Sequence, residues 1–210
     1  MGWFFAKVYD PFMRRTEKAC LGRWRDELLA PLEGSVLEVG AGTGANLDHY
    51  PRRLLRADGS RERLVLTDPD AHMLERLRRR PEAATAEIER ARSDALPFPD
   101  ESFDAVVSTL VLCSVPDVER TLHELRRVLK PTGALVFLEH VAAEEGSPRR
   151  RWQRRVEPVW SKIAGGCHLT RQTDAAIAKA GFTFETMTKE SMRKALPVVR
   201  PTVRGIARKA

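Results

Sequence analysis

Short apolar runs alternate with amphipathic stretches through most of this 210-residue chain. Val36-Leu37-Glu38-Val39, Leu64-Val65-Leu66, Phe103 to Thr109 and Ala134 to Val141 are continuous enough to predict buried parallel strands. Ala86 to Ala91 predicts a weaker strand, with Ile88 in a polar run. Between them the period lengthens. Met73, Leu74 and Leu77 share one helical face behind Asp70, an N-cap residue, and Asp117 opens a second helix carrying Leu122, Leu125, Val128 and Leu129 on one stripe. Pro131-Thr132-Gly133 ends that helix. Further on, Thr173 to Ala180 predicts a helix closed by Gly181, Phe182 to Thr188 a sixth strand, and Val203 to Ala207 a last strand, antiparallel at an edge. The βαβαβ alternation predicts an α/β fold, a mostly parallel sheet with helices on both faces.

The first strand ends in three alternate glycines, Gly40, Gly42 and Gly44, followed by Ala45 to Tyr50 as an expected helix start. Strand, glycine loop and helix N-terminus form a nucleotide-type cradle. The spacing is G-x-G-x-G, and Ala45 stands where a dinucleotide loop has its third glycine. Glu38 sits in the strand end, where a carboxylate suits a cationic ligand better than a pyrophosphate. S-adenosylmethionine (SAM) carries a sulfonium and an amino group and no phosphate. Further candidates arrive at successive strand ends. Asp68 ends strand two at a spacing suited to ribose hydroxyls, with Pro69 beside it, and Asp94-Ala95-Leu96 follows strand three toward an adenine edge. Thr109 and Leu110 leave strand four toward the methionine end, and Asn46 follows the glycine loop.

These motifs resemble the class I SAM-dependent methyltransferases. Leu96-Pro97-Phe98-Pro99-Asp100-Glu101-Ser102-Phe103-Asp104 resembles the signature turn of the methyltransferase-11 branch, which includes quinone-type methylases. Thr109-Leu110-Val111-Leu112-Cys113-Ser114-Val115, Leu129-Lys130-Pro131-Thr132-Gly133, Glu139-His140-Val141, Gly166 to Arg171 and Pro197 to Pro201 resemble the small-thiol methyltransferases. The resemblance runs from about Ser35 to the C-terminus. It implies a Rossmann-like seven-stranded sheet with a reversed last strand, SAM as donor with S-adenosylhomocysteine as product, and a thiol acceptor. That family carries an N-terminal membrane anchor, which the Met1 to Lys7 segment is too short to supply, and Thr132 replaces a glycine of its Pro-Gly-Gly turn.

Composition narrows the picture. The net charge of +7 with arginine in excess suits an anionic partner or simple solubility. Cys20, Cys113 and Cys167 are few, odd in number and without a C-x-x-C pair. That argues against a disulfide framework and a structural zinc site, predicts no metal, and suits a reducing cytoplasm. Cys113 and Cys167 read as small buried hydrophobes without a role. The apolar Thr109-Leu110-Val111-Leu112 stands where base-modifying methylases carry a polar motif, which favours a small apolar acceptor over nucleic acid.

Residues 1–33 are expected to form a helical segment covering the acceptor site, with Tyr9-Asp10-Pro11 as a turn and Arg14, Arg15, Lys18, Arg23 and Arg25 on a basic face. Residues 34–210 form the domain, with a lid-like insertion over about 144–170. Within it Trp152, Val156, Val159 and Trp160 share one helical face opposite arginines. This reads as a lid packed on the domain, with a helix lying on an anionic membrane or an RNA contact as alternatives; Pro158 is expected to kink or restart the helix. His140 and His168 are the candidate catalytic bases, with Glu139 a candidate orienter. Rival functions are C- or N-methylation of a quinone, lipid or natural product, an NAD-linked oxidoreductase, and a non-catalytic SAM- or RNA-binding module. Oligomeric state stays open.

Overall fold

The computed structural model describes residues 13–55 and 62–209. The expected Tyr9-Asp10-Pro11 turn and the start of the covering segment lie outside the described residues. A π-helical turn, Glu17–Leu21, runs directly into helix α1 (Gly22–Leu29). Then come β1 (Ser35–Val39), β2 (Arg63–Thr67), α2 (Ala71–Arg78), β3 (Glu87–Glu89), β4 (Phe103–Thr109), α3 (Val118–Val128) and β5 (Leu129–His140). The chain closes with α4 (Pro148–Ile163), α5 (Thr173–Lys179), β6 (Phe182–Ser191) and β7 (Pro201–Lys209).

The seven strands form one sheet in the order β3-β2-β1-β4-β5-β7-β6. β1 pairs in parallel with both β2 and β4, so the chain reverses its direction of travel across the sheet beside β1. Loops on either side of such a switch point part at the strands' carboxyl ends and leave a crevice. β7 is antiparallel, as expected, but it is not an edge strand. It lies between β5 and β6 and pairs with both, and β6 forms the edge. Its burial explains the placement: Val203 and Ala207 are fully enclosed, which an edge position would not achieve.

Local signals set the helix starts. Asp70 accepts the His72 N–H, Asp117 the Arg120 N–H and Ser147 the Arg150 N–H, each at 2.9–3.1 Å, satisfying donors that a helix N-terminus leaves free. The strand after α3 begins earlier than expected. Phe103 pairs with Leu129 and Ala105 with Ala134, so the Pro131-Thr132-Gly133 turn is an irregularity within β5. After the glycine loop the expected α-helix is absent, and only a 3-10 turn, Leu47–His49, forms. Helix α4 runs unbroken through Pro158.

The two faces of the sheet bury separate apolar clusters. One contains Leu21, Trp24 and Leu29 of the N-terminal helix with Val36, Leu64, Leu66 and Val107. The other contains Leu122, Leu125 and Val128 of α3 with Leu37, Val106 and Phe137. Side chains alternate across a strand, so each of these apolar runs feeds both clusters.

Candidate functional site

A cavity of about 640 Å³ opens at the carboxyl ends of β1, β2, β4 and β5. The glycine loop forms its floor. Gly40, Gly42 and Gly44 all have positive φ, at 62°, 57° and 87°. A Cβ at Gly40 would lie 2.4 Å from a Val111 methyl, and one at Gly44 would lie 2.7 Å from Leu47 and Leu77. A Cβ at Gly42 would meet nothing within 4 Å, because this residue faces the cavity. The outer glycines therefore serve close packing of the loop, and the middle one leaves room for a ligand against bare backbone.

Glu38 lines the cavity from β1 yet is almost fully buried. Its Oε1 accepts from Asn46 Nδ2 at 2.9 Å and its Oε2 from the Tyr50 hydroxyl at 2.7 Å. Burial raises its pKa, while these hydrogen bonds and Arg25 pull the other way. Arg25 is the residue that sequence reasoning misplaced. Arg14, Arg15, Lys18 and Arg23 are exposed, but Arg25 is 3% exposed and turns inward. It pairs with Glu17 at 3.0 Å, hydrogen-bonds the Asn46 side-chain oxygen, and reaches Thr109 Oγ1 at 3.1 Å. The signal was available in the period: Leu21, Trp24, Arg25, Leu28 and Leu29 share the inward face of one helix.

Asp68 closes the next wall. Gly42 N–H donates to its Oδ2 at 3.0 Å and Asp70 N–H to its Oδ1 at 2.8 Å, and burial raises its pKa. Each carboxylate oxygen keeps a further lone pair for a ligand hydroxyl. Pro69 lies beside it on the wall. Asp94 also lines the cavity, paired through both oxygens to Arg92 at 2.8 and 2.7 Å, which holds its pKa down. Ala95 and Leu96 do not line it. Ala95 faces solvent, Leu96 is in the core, and the Leu96 N–H is taken by Glu124. Arg92, Ser93 and Asp94, which precede them in the same turn, line the cavity instead.

The other half of the cavity is apolar. Leu110, Val111, Val115, Trp160, Ile163 and Met192 line it, with Met13 and Val199. Leu110 takes a left-handed φ of 59°. Glu139 explains how that turn is held. It is fully buried behind the wall and accepts from Ser108 Oγ at 2.7 Å and from the N–H groups of Val111 and Cys113 at 3.1 and 3.3 Å. Burial pushes its pKa up to about 7. Thus Glu139 positions the loop after β4.

His140 lines the cavity beside Cys113 and Cys167. The expected second base, His168, is not in the lining. Its ring pairs with Glu157 at 2.9 Å and its backbone N–H donates to the Cys113 carbonyl at 2.8 Å, so it braces the loops behind the wall.

Helix α4 also corrects the sequence reading. Its packed side carries Arg150 and Gln153, while Trp152 is 61% exposed, Val159 63% and Ile163 66%. Gln153 decides the rotation. It accepts the Ala143 N–H at 2.7 Å and donates to the carbonyls of Val198 and Val141 at 2.9 and 3.4 Å. Arg150 donates to the Thr170 carbonyl at 3.0 Å. Satisfying those buried backbone groups outweighs burying Trp152 and Val159, while Val156 is half-buried and Trp160, from the same expected face, lines the cavity.

The family model described as a methyltransferase domain (Methyltransf_11) matches residues 37–137, the stretch that contains the glycine loop, Asp68, Asp94 and the loop after β4. The chain is 37% identical over 178 residues to human thiol S-methyltransferase TMT1A, covering 82% of this chain and 70% of that one. The chain belongs to the class I SAM-dependent methyltransferases. It is also 39% identical over 157 residues to rat thiol S-methyltransferase TMT1B, covering 72% of this chain and 61% of that protein. Similarity extends to a Cereibacter sphaeroides phosphatidylethanolamine N-methyltransferase, 35% identical over 146 residues, 68% of this chain and 64% of that one. The chain thus spans about 60–70% of the length of these relatives. The methyltransferase fold extends to a Haloferax volcanii methyltransferase solved with its Trm112 activator, at TM-score 0.72 and 19% identity over 99% of this chain and 96% of that one. Class I methyltransferases take their methyl group from SAM. The residues here fit that donor: paired acids, an open glycine and a buried carboxylate suit a ribose and an ammonium, and the third glycine of a dinucleotide loop is missing.

Proposed function

We propose that this methyltransferase moves the methyl group of SAM to a small, apolar thiol. The observation that carries this reading is the division of one cavity. Carboxylates and open backbone lie on the β1–β3 side, and an apolar wall containing His140 and two cysteines lies on the β4–β5 side. SAM supplies an electrophilic methyl carbon on a sulfonium. Asp68 would hold the ribose hydroxyls, and Glu38, with Asn46 and Arg25 behind it, the amino-acid end. Thr109 and Leu110 would border the methionine chain. The apolar wall excludes water and aligns the acceptor for in-line displacement. A thiol, with an ordinary pKa near 8.5, needs only modest help to ionise, and His140 is the base that the cavity offers. Thiol relatives favour sulfur as the acceptor atom over carbon or nitrogen of a quinone, lipid or natural product.

The experiment is calorimetric titration with SAM, S-adenosylhomocysteine and NAD, followed by an acceptor screen headed by alkyl and aryl thiols. Heat with the first two and none with NAD is expected, as is methylation of thiols ahead of quinones. Heat with NAD alone would overturn the donor, and turnover confined to a quinone or amine would overturn the acceptor.

The N-terminal segment and residues 144–170 are proposed as the acceptor-site cover, since Met13 and Arg25 of the first, and Trp160, Ile163 and Ala164 of the second, border the cavity. A second reading concerns place. No helix among the described residues is long and apolar enough to cross a membrane. The outward pair Trp152 and Val159, flanked by exposed Arg151, Arg154, Arg155 and Lys162, suits peripheral contact with an anionic lipid surface from the reducing side.

A further inference from the structure

Cys113, His140 and Cys167 come from three separate segments, the loop after β4, the last residue of β5 and the turn after α4, and meet on the apolar wall of the cavity. One potential ligand atom from each lies within 4.8 Å of the others. Cys113 and His140 are 3% and 2% exposed. His140 Nδ1 faces Cys167 Sγ at 3.9 Å, and its Nε2 is buried with no partner. A buried ring nitrogen without a partner, as Nε2 is, is costly unless something else occupies it. The surrounding backbone is built to hold these loops together. His168 N–H donates to the Cys113 carbonyl at 2.8 Å. Arg171 donates to the carbonyls of Leu112 and Val115 at 2.6 and 2.7 Å. Gly166, at φ 86°, comes so close to Ser114 that a Cβ would lie 2.9 Å from its carbonyl oxygen.

Two sulfurs and one imidazole form a soft donor set that prefers zinc to magnesium or calcium. Tetrahedral zinc separates its sulfur ligands by about 3.8 Å and sulfur from nitrogen by about 3.6 Å, against 3.9 Å between Cys167 Sγ and His140 Nδ1 and at most 4.8 Å across the cluster. Three protein ligands with a fourth position facing a cavity is the pattern of catalytic zinc, whereas a closed set of four marks a structural site.

We propose that Cys113, His140 and Cys167 bind one Zn2+ ion whose fourth coordination position opens into the acceptor half of the cavity. The role of that position rests on the thiol reading above. With His140 on the metal, zinc would take over the activation that the metal-free reading gives to His140: the acceptor thiol would bind the metal as thiolate and give its proton to solvent. A lone pair on its sulfur forms the new S–C bond to the methyl carbon. The bond from that carbon to the sulfonium breaks, and its electron pair stays on the departing thioether sulfur. No oxidant or reductant is consumed.

The test uses the full chain, freed of any affinity tag and kept reduced with a phosphine. Metal analysis is expected to give about one zinc per chain. Loading with Co2+ in place of zinc is expected to give sulfur-to-cobalt charge transfer and the intense d–d bands of a four-coordinate site. C113S, C167S and H140Q should each lower metal affinity at least tenfold, while C20S, remote from the cluster, should not. Lack of a thiolate–cobalt spectrum in folded wild-type protein overturns the site. So does a spectrum indifferent to C113S and C167S, or a Cys113–Cys167 disulfide that persists under these conditions. Adding benzenethiol to the cobalt protein should shift the d–d bands without any turnover. Unshifted bands overturn the role of the fourth position. A shift without thiol methylation overturns the thiol reading and leaves the site standing, whereas thiol methylation by metal-free protein overturns the role of the fourth position and leaves the thiol reading standing.

Discussion

Asp68 takes backbone N–H groups from Gly42 and Asp70, so its carboxylate is fixed before any ligand arrives. Preorganisation of this kind removes an ordering cost from binding. Asp68→Ala should weaken SAM at least tenfold by calorimetry, about 1.4 kcal/mol, with no matching loss of melting temperature; equal affinity in the variant would remove Asp68 from the site. Glu38 gives a pH signature. Burial raises its pKa above the unfolded value, so the folded chain holds that proton more tightly than the unfolded chain does. Its stabilising contribution is complete below the ordinary glutamate pKa, about 4.3, and is lost as pH rises through the elevated folded value. Ligand-free wild type should therefore lose melting temperature from mildly acid to neutral pH relative to Glu38→Gln. Parallel melting curves across that range would refute this account. At this scale the glycines, Glu38, Asp68 and Asp94 were legible because each needs only its own strand end. The inward turn of Arg25 was legible in the helical period, but its partners were not, because Asn46 and Thr109 lie far along the chain.

Helix α4 shows how an element's amphipathic pattern can be read correctly and still point the wrong way. Trp152, Val156 and Val159 do share a face, but Gln153 and Arg150 are the side chains that reach backbone carbonyls on the sheet and its loops. Periodicity reports which residues lie together and says nothing of hydrogen-bond partners 45 residues away. The outward stripe predicts an outcome. Trp152→Ser with Val159→Ser should reduce sedimentation with vesicles containing anionic lipid and leave SAM affinity unchanged. Binding that depends on arginine charge and ignores the double substitution would refute the interfacial role. Elsewhere element boundaries followed local chemistry. Asp70 and Asp117 were identifiable as N-caps in the sequence and act as such. The missing α-helix after the glycine loop has a local cause as well. Gly44 N–H donates to Ala41 and Leu47 N–H to Gly44, so successive tight turns use up the residues expected to start it.

For the molecule as a whole, the sheet depends on β7 entering between β5 and β6. Gly205 permits this, since a Cβ there would lie 2.0 Å from the Thr186 carbonyl oxygen, beside the register shift in β6. Gly205→Ala should destabilise the protein by about 1–3 kcal/mol, as overpacking does, read in denaturant unfolding; an unchanged midpoint would mean that β6 yields freely. SAM at a hundredfold excess over Kd should add about 2.7 kcal/mol to variant and wild type alike. The sequence by itself determined the strand–helix alternation, the glycine loop that floors the cavity and the acids around it. Those depend on backbone geometry and on neighbours within a few residues. Only the tertiary structure decided that β7 is interior, that α4 turns Trp152 and Val159 outward, which residues Arg25 meets behind Glu38, and that Cys113, His140 and Cys167 share one wall. Each of these is settled by contacts between segments far apart in the chain, where burial and hydrogen-bond satisfaction leave no periodic trace.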